Sequence, residues 1–357
     1  MKQTPLHSLH QELGAKFGPF AGFDMPLFYP SGILKEHLHT RAHADLFDIS
    51  HMQHVEIAGP DAAKLVSRLC PYPAEDQIER QAKYTFFLNA DAGIVDDLMV
   101  TRLGSERFRI VCNAGCAQND IAHIRANTAP FKAQLYILDC AFLALQGPEA
   151  QAALQQLGHD FSRLKFLQAL ETKGGWSVTR SGYTGEDGFE IALPASDALE
   201  LTKRLLADDR VRLIGLGARD SLRLEAGLSL YGQDLSEEIS PPEAGLLWAI
   251  PKSHREGGTF VGAAALAAKI AAGPARKRIG LKPQGAAPVR AHAPLKDAAG
   301  SVVGEITSGG FGPTVGHPVA MGLVSTSAGP PFFAEVRGKP LAVDIVPLPF
   351  VPHRVKR

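Results

Sequence analysis

From Arg276 onward the chain breaks into short apolar runs separated by Gly and Pro. They are Arg278-Ile-Gly-Leu, Val302-Val-Gly-Glu-Ile, Val319-Ala-Met-Gly-Leu-Val, Phe333-Ala-Glu-Val and Leu341-Ala-Val-Asp-Ile-Val. Runs this short cannot complete a helix with a buried stripe, but as strands they can each cover one side of a small core. Their even spacing predicts an all-β sandwich or barrel. An Ala-rich helix over Gly262 to Ala272 stops at Gly273-Pro274, which sets a boundary near 273. The division is therefore 1–272 and 273–357. A chain of 357 residues exceeds one ordinary core, so two or three domains are expected.

Within 1–272 helical and strand patterns alternate without a G-x-G-x-x-G fingerprint. Helices are predicted over His7 to Lys16, Ile33 to Ala44, Asp61 to Leu69, Gln118 to Thr128, Glu149 to Leu157 and Ala195 to Asp208. Strands are predicted over Gln53 to Ile57, Tyr84 to Leu88, Asp97 to Leu103 and Phe108 to Asn113. Gln134 to Leu145 reads as one long strand or a pair. The class is α+β rather than doubly wound α/β.

Charge narrows the function. Lys+Arg and Asp+Glu both number 37, which argues against nucleic-acid binding, since that needs a basic surface, while leaving room for a local basic patch. No 18-residue apolar run is present, so no membrane span is expected. The N-terminus, Met1-Lys-Gln-Thr-Pro-Leu-His, reads as neither a secretory signal nor a transit peptide, and the expected location is cytoplasmic. Cys70, Cys112, Cys116 and Cys140 form neither a zinc pattern nor a disulfide framework. The 13 histidines show no H-E-x-x-H spacing, so no catalytic metal is expected.

Chemistry concentrates in Arg180-Ser-Gly-Tyr-Thr-Gly-Glu-Asp-Gly-Phe-Glu190, which holds three glycines and three carboxylates in eleven residues. Glycines let a chain bend tightly and approach a ligand closely. Glu190 begins a strand, so it could hold a fixed carboxylate toward a guanidine-like edge and accept two parallel hydrogen bonds. Surface charge on a hairpin is the competing reading for Glu186, Asp187 and Glu190. Tyr183 could offer a ring face or a hydroxyl, or simply pack in a core.

Asp96-Asp97 precede a strand, and alternation sends their side chains to opposite faces. One could line a pocket and stabilise developing positive charge, or both could be solvated turn acids. Arg219, Asp220, Arg223 and Glu225 lie on one helix. Arg219, beside Gly215 and Gly217, could reach a ligand carbonyl or carboxylate, or the four could form a salt-bridge ladder. Asp48-Ile-Ser-His51 lacks a G-x-S-x-G elbow, so His51 reads as structural or supporting.

Taken in order, these segments resemble the aminomethyltransferase (T-protein) family of the glycine cleavage system. The likeness runs through Ala21-Gly-Phe-Asp-Met-Pro26, Phe47-Asp-Ile-Ser-His-Met52, Gly93-Ile-Val-Asp-Asp-Leu98 and Leu145-Gln-Gly-Pro148. It continues through Ser181–Glu190, Gly215–Glu225, Leu230-Tyr-Gly-Gln-Asp234, Ala287-Pro-Val-Arg290 and Gly304-Glu-Ile-Thr-Ser-Gly309. It implies a three-domain cloverleaf around a tetrahydrofolate pocket, with two intertwined α+β subdomains in 1–272 and a small C-terminal β domain.

The implied reaction moves a methylene group from the aminomethylated lipoyl arm of H-protein to tetrahydrofolate. Ammonia and 5,10-methylenetetrahydrofolate result. By position, Asp97 matches the family's catalytic carboxylate, with Asp96 the adjacent alternative. Glu190 matches the acid that reads the pterin edge, and Arg219 the arginine supporting it. Tyr84 and Tyr183 match pocket aromatics, and Arg290 an arginine near the site.

Phe23, Gln53, Ala92, Gly312 and Val355 depart from the family pattern without touching the main carboxylates or Arg219. Another tetrahydrofolate-dependent one-carbon transferase, acting on a free small molecule, is the alternative on the same fold. A folate-binding module with a reactive cysteine fits less well, because Ser181-Gly-Tyr-Thr carries no cysteine.

Overall fold

The strands before residue 272 separate into two main sheets, each with its own core. The computed structural model describes residues 1–357. A five-stranded sheet has the order Gln81–Leu88, Ile94–Gly104, Arg107–Cys112, Gln53–Ala58, Gln134–Leu138, with every neighbouring pair antiparallel. Val55, Ile57, Phe87, Leu98, Val100, Phe108 and Ile110 alternate onto one face. There they meet Leu65, Val66 and Leu69 of helix Ala62–Leu69 and Ile121 and Ile124 of helix Ala117–Thr128.

The six-stranded sheet runs Ala169–Glu171, Ser177–Thr179, Gly188–Leu193, Ala141–Gln146, Ala44–Asp48, Val211–Leu213. Only its last pair is parallel. Ala44–Asp48 and Ala141–Gln146 are neighbours in space, yet the whole five-stranded sheet lies between them in sequence. The two subdomains are therefore interleaved, not consecutive. Gln134 to Leu145 resolves into two strands in different sheets, because Asp139 and Cys140 carry the chain from one to the other.

Residues 276–346 close into a six-stranded barrel. Its seam is the antiparallel pairing of Arg276–Pro283 with Lys339–Val346. Closure removes both sheet edges, and Leu281, Leu295, Ile306, Ala320, Val324 and Phe332 fill the interior. The barrel packs on helix Leu216–Glu225. Buried Arg223 on that helix donates to Asp234, on its own side, and to Ser308 of the barrel, at 2.8 and 2.9 Å.

Two local expectations change. Asp61 stands at the N-cap of its helix but makes no capping bond; its carboxylate accepts instead from Lys64 and the Lys132 backbone N–H. Asp96 and Asp97 lie inside strand Ile94–Gly104 rather than ahead of it. The turn before them is tightened by Asn89, whose side-chain oxygen accepts the Asp91 and Gly93 N–H groups. Gly93 is required by contact: a Cβ there would sit 1.7 Å from the Glu237 carbonyl oxygen.

Candidate functional site

Where the two sheets, helix Leu216–Glu225, the barrel and the C-terminal tail converge, they leave a cavity of about 1090 Å³. Each wall contributes through a simple structural rule. Phe86 pairs with Asp97 and Tyr84 with Met99 across adjacent strands, so Tyr84, Asp97 and Met99 share the cavity face. Asp96 faces the other way, toward helix Ala117–Thr128, and is fully buried outside the cavity lining. Of the two adjacent aspartates, Asp97 alone reaches the cavity.

The Asp97 carboxylate accepts the Tyr84 hydroxyl at 2.9 Å and the Asn113 side-chain amide at 3.0 Å. Burial, reinforced by the nearby Asp96 charge, pushes its pKa up to about 7. Desolvation disfavours the ionised form, so this carboxylate gains most from a cation placed beside it. Tyr84 stacks at 5.5 Å on Trp248, which is 66% exposed at the cavity rim.

The opposite end is built by the glycine-rich segment and helix Leu216–Glu225. Gly182 passes so close to Gln146 that a Cβ would lie 1.7 Å from its side-chain oxygen. That approach brings the Ser181 hydroxyl to Glu190, where it donates at 2.6 Å. Burial raises the Glu190 carboxyl, with Ser181 and the Arg219 charge pulling the other way. The Arg219 guanidinium lies 4.7 Å over the Tyr183 ring, and its buried Nη1 has no partner. Glu190 and Arg219 form no ion pair with each other or with any other side chain. A half-buried carboxylate and guanidinium that both keep unspent hydrogen-bonding capacity are costly unless water or a ligand completes them. A flat group bearing N–H donors and a carbonyl fits that need.

Not every residue singled out in the sequence joins this site. Glu186 bonds Arg41 and Arg354, and Asp187 pairs with Arg180, so two of the three acids in the segment tie the fold together. Arg223 does pair with Asp220 in the manner of a helical ladder, but Arg219 takes no part in it. Arg290 is exposed on the barrel and absent from the cavity wall, because Val289 beside it takes the buried position. That residue is corrected to a surface position.

Four cavity residues carried no sequence signal strong enough to place them. Asn113 follows a strand in Cys112-Asn-Ala-Gly-Cys116, and only the fold sets it against Asp96 and Asp97. His51 lines the wall as a neutral ring, since burial and the Arg219 charge lower its pKa to about 4. Arg278 arrives from the first barrel strand, Arg276–Pro283, and Trp248 from the segment before it.

Comparison with known proteins agrees with this architecture. Residues 6–254 match the family model described as the GCVT N-terminal domain. Residues 276–352 match the glycine cleavage T-protein C-terminal barrel domain. Mitochondrial aminomethyltransferase of Pisum sativum is 40% identical over 369 residues, covering 99% of this chain and 90% of that protein. The Dictyostelium discoideum enzyme is 38% identical over 380 residues, covering 100% and 94%. The crystal structure of glycine cleavage system aminomethyltransferase T from Bartonella henselae superposes with a TM-score of 0.98 at 50% identity, covering 100% and 99%. With both domains matched in order over nearly its whole length, the chain belongs to the glycine cleavage T-protein family of tetrahydrofolate-dependent aminomethyltransferases.

Proposed function

We propose that the cavity is where this aminomethyltransferase holds tetrahydrofolate, with Asp97 as its catalytic carboxylate. The observation that carries this reading is Glu190 and Arg219 at one end, neither in an ion pair and Arg219 Nη1 without any partner, with Asp97 further along the same wall. Glu190 would accept N–H donors from the edge of a pterin. Arg219, steadied on Tyr183, would donate to the ring carbonyl. Tyr84 and Trp248 would flank the part of the ligand nearest the rim.

Bound tetrahydrofolate supplies amine nitrogens as nucleophiles for the incoming methylene carbon. The protein's own part is positioning and electrostatics. Tyr84 and Asn113 hold the two Asp97 oxygens by separate hydrogen bonds, so the charge needs little reorganisation when positive charge develops beside it. A ligand filling the cavity would displace water from Asp97 and strengthen that attraction. As a carboxylate of pKa about 7, Asp97 can also accept a proton from an amine that becomes cationic on substitution. The methylene donor in this reading is the aminomethylated lipoyl arm of H-protein, entering past Trp248.

The test is ammonia release from aminomethylated, lipoylated H-protein, with and without tetrahydrofolate, for wild type and Asp97→Asn. Tetrahydrofolate-dependent release that falls at least about a hundredfold in the variant supports the assignment. Near-normal turnover removes Asp97 from the role. Folate binding without release from H-protein points to a different one-carbon donor.

A further inference from the structure

Behind Asp97, on the far face of its strand, sits a second acidic residue that the reaction does not touch. Asp120 lies in the first turn of helix Ala117–Thr128 and is wholly buried. Neither of its carboxyl oxygens meets an N–H or hydroxyl donor. An ionised carboxylate in that position would be a buried charge without compensation. The Asp120 carboxyl does lie within hydrogen-bonding reach of Asp96. Two carboxylates in contact cannot both be charged, so the pair must share a proton.

The donors around the pair decide which member carries that proton. Asp96 accepts the Asn113 backbone N–H at 2.9 Å and the Asn113 side-chain amide at 2.8 Å. These bonds favour an ionised Asp96. Asp120 has no N–H or O–H donor, only the weak Cys112 thiol beside it, and burial followed by the Asp96 charge pushes it up to about 10. The ionisable groups packed around the pair are Cys112 from the neighbouring strand, Cys116 at the helix N-cap, Asp97, and Tyr231. None of these is a cation that would stabilise a second negative charge. Toward the cavity, Asp97 is faced by Tyr84, with Tyr183 and Arg278 beyond.

The same Asn113 amide nitrogen that bonds Asp96 also lies 3.0 Å from Asp97 Oδ1. One of its two N–H groups serves each aspartate. We propose that Asp120 is a positioning residue held as the neutral acid, donating its O–H to Asp96 and, through Asp96 and Asn113, fixing the Asp97 carboxylate against the cavity. The chain of contacts is Asp120 to Asp96, Asp96 to Asn113, and Asn113 to Asp97. Removing its first donor frees Asp96 to pull on Asn113, and displacement of a catalytic group by a fraction of an ångström lowers turnover without loss of binding.

The test compares Asp120→Ala with Asp120→Asn, which keeps an N–H donor for Asp96. Asp120→Ala is expected to lower kcat about tenfold or more with KM for tetrahydrofolate within about twofold. Asp120→Asn is expected to recover most of that loss. It should also leave the acid limb of kcat/KM in place, because the net charge beside Asp97 is unchanged if Asp120 is neutral.

Infrared difference spectroscopy of wild type minus Asp120→Asn reads the proton directly. At about pH 8.5 Asp97 is ionised, and a protonated-carboxyl C=O band should persist in wild type and be lost in the variant. An acid limb that moves to lower pH in Asp120→Asn, or the absence of that band, overturns the proposal, since either means that Asp120 is charged. A folded Asp120→Ala with unchanged kcat overturns the positioning role. If Asp120→Ala does not fold, the infrared band and the Asp120→Asn profile still decide. The proposal rests on Asp97 as the catalytic carboxylate. An active Asp97→Asn would refute that assignment separately, because the infrared result does not depend on turnover.

Discussion

The raised pKa of Asp97 means that the protein should be more stable with this carboxyl uncharged. In an unfolded chain this carboxyl ionises near 3.8, whereas in the cavity wall it does so at about 7. The sign follows from proton counting. Between those two values the folded protein holds a proton that the unfolded chain has released, so stability falls as pH rises. Each tenfold difference in proton affinity is worth ~1.4 kcal/mol, and the full difference sets an upper bound of about 4 kcal/mol.

Asp97 opens onto a cavity that water can enter, so about 2 to 4 kcal/mol is the expected range. Asn cannot ionise and escapes this penalty. The stability of Asp97→Asn minus that of wild type should therefore grow by that amount between pH 4 and pH 8, most of it below about pH 7. Any cost of disturbing the Asn113 bond adds a constant offset and cancels in the comparison. Urea unfolding of both proteins across this range measures the difference, alongside ammonia-release assays in which turnover collapses. A stability difference that stays flat with pH would refute the reasoning, because it would show that the fold does not disfavour the Asp97 charge.

Three further outcomes follow from the same geometry. Glu190→Ala should weaken tetrahydrofolate binding by about 2 kcal/mol, the cost of leaving ligand donors unpaired, as calorimetry would read; unchanged affinity would remove Glu190 from the ligand edge. Burial alone would raise the Glu225 carboxyl, but hydrogen bonds from His37, Thr314 and Arg41 outweigh it and hold it down at about 2. Its stabilisation should thus be complete above about pH 4.5 and lost as pH falls toward 2. Glu225→Gln should cost about 3 kcal/mol at neutral pH, with its difference from wild type shrinking in acid. Trp248→Ala should shift stability by no more than about 0.5 kcal/mol, since the ring is mostly exposed. It should still raise KM for tetrahydrofolate or H-protein several-fold, and unchanged kinetics would exclude the rim from ligand contact.

Several features of this protein are local enough for the sequence alone to determine. Gly- and Pro-punctuated apolar runs after Arg276 imply a small β domain, because each run is short and its turns are marked. The period-two pattern around Asp96 and Asp97 requires the two side chains to part, whatever the surroundings. The order and spacing of the motifs likewise identify the family before any coordinate is known.

What the tertiary structure alone decided is which member of each pattern meets the cavity. Asp97 rather than Asp96 lines it because helix Ala117–Thr128 covers the other face of the strand. Glu190 is left without an ion pair while its neighbours are taken up: Arg41 and Arg354, distant in sequence, hold Glu186, and Arg180 of the same segment holds Asp187. Arg290 and Arg278 look equivalent as basic residues of the C-terminal domain, yet only Arg278, on the outer face of a strand whose Ile279 and Leu281 fill the barrel, meets the cavity. Asn113 and Trp248 have no motif of their own, and the motif that holds His51 does not say what its ring faces. Their roles depend on contacts between segments that the chain separates, and such contacts exist only once the two sheets and the barrel have closed around a common cavity.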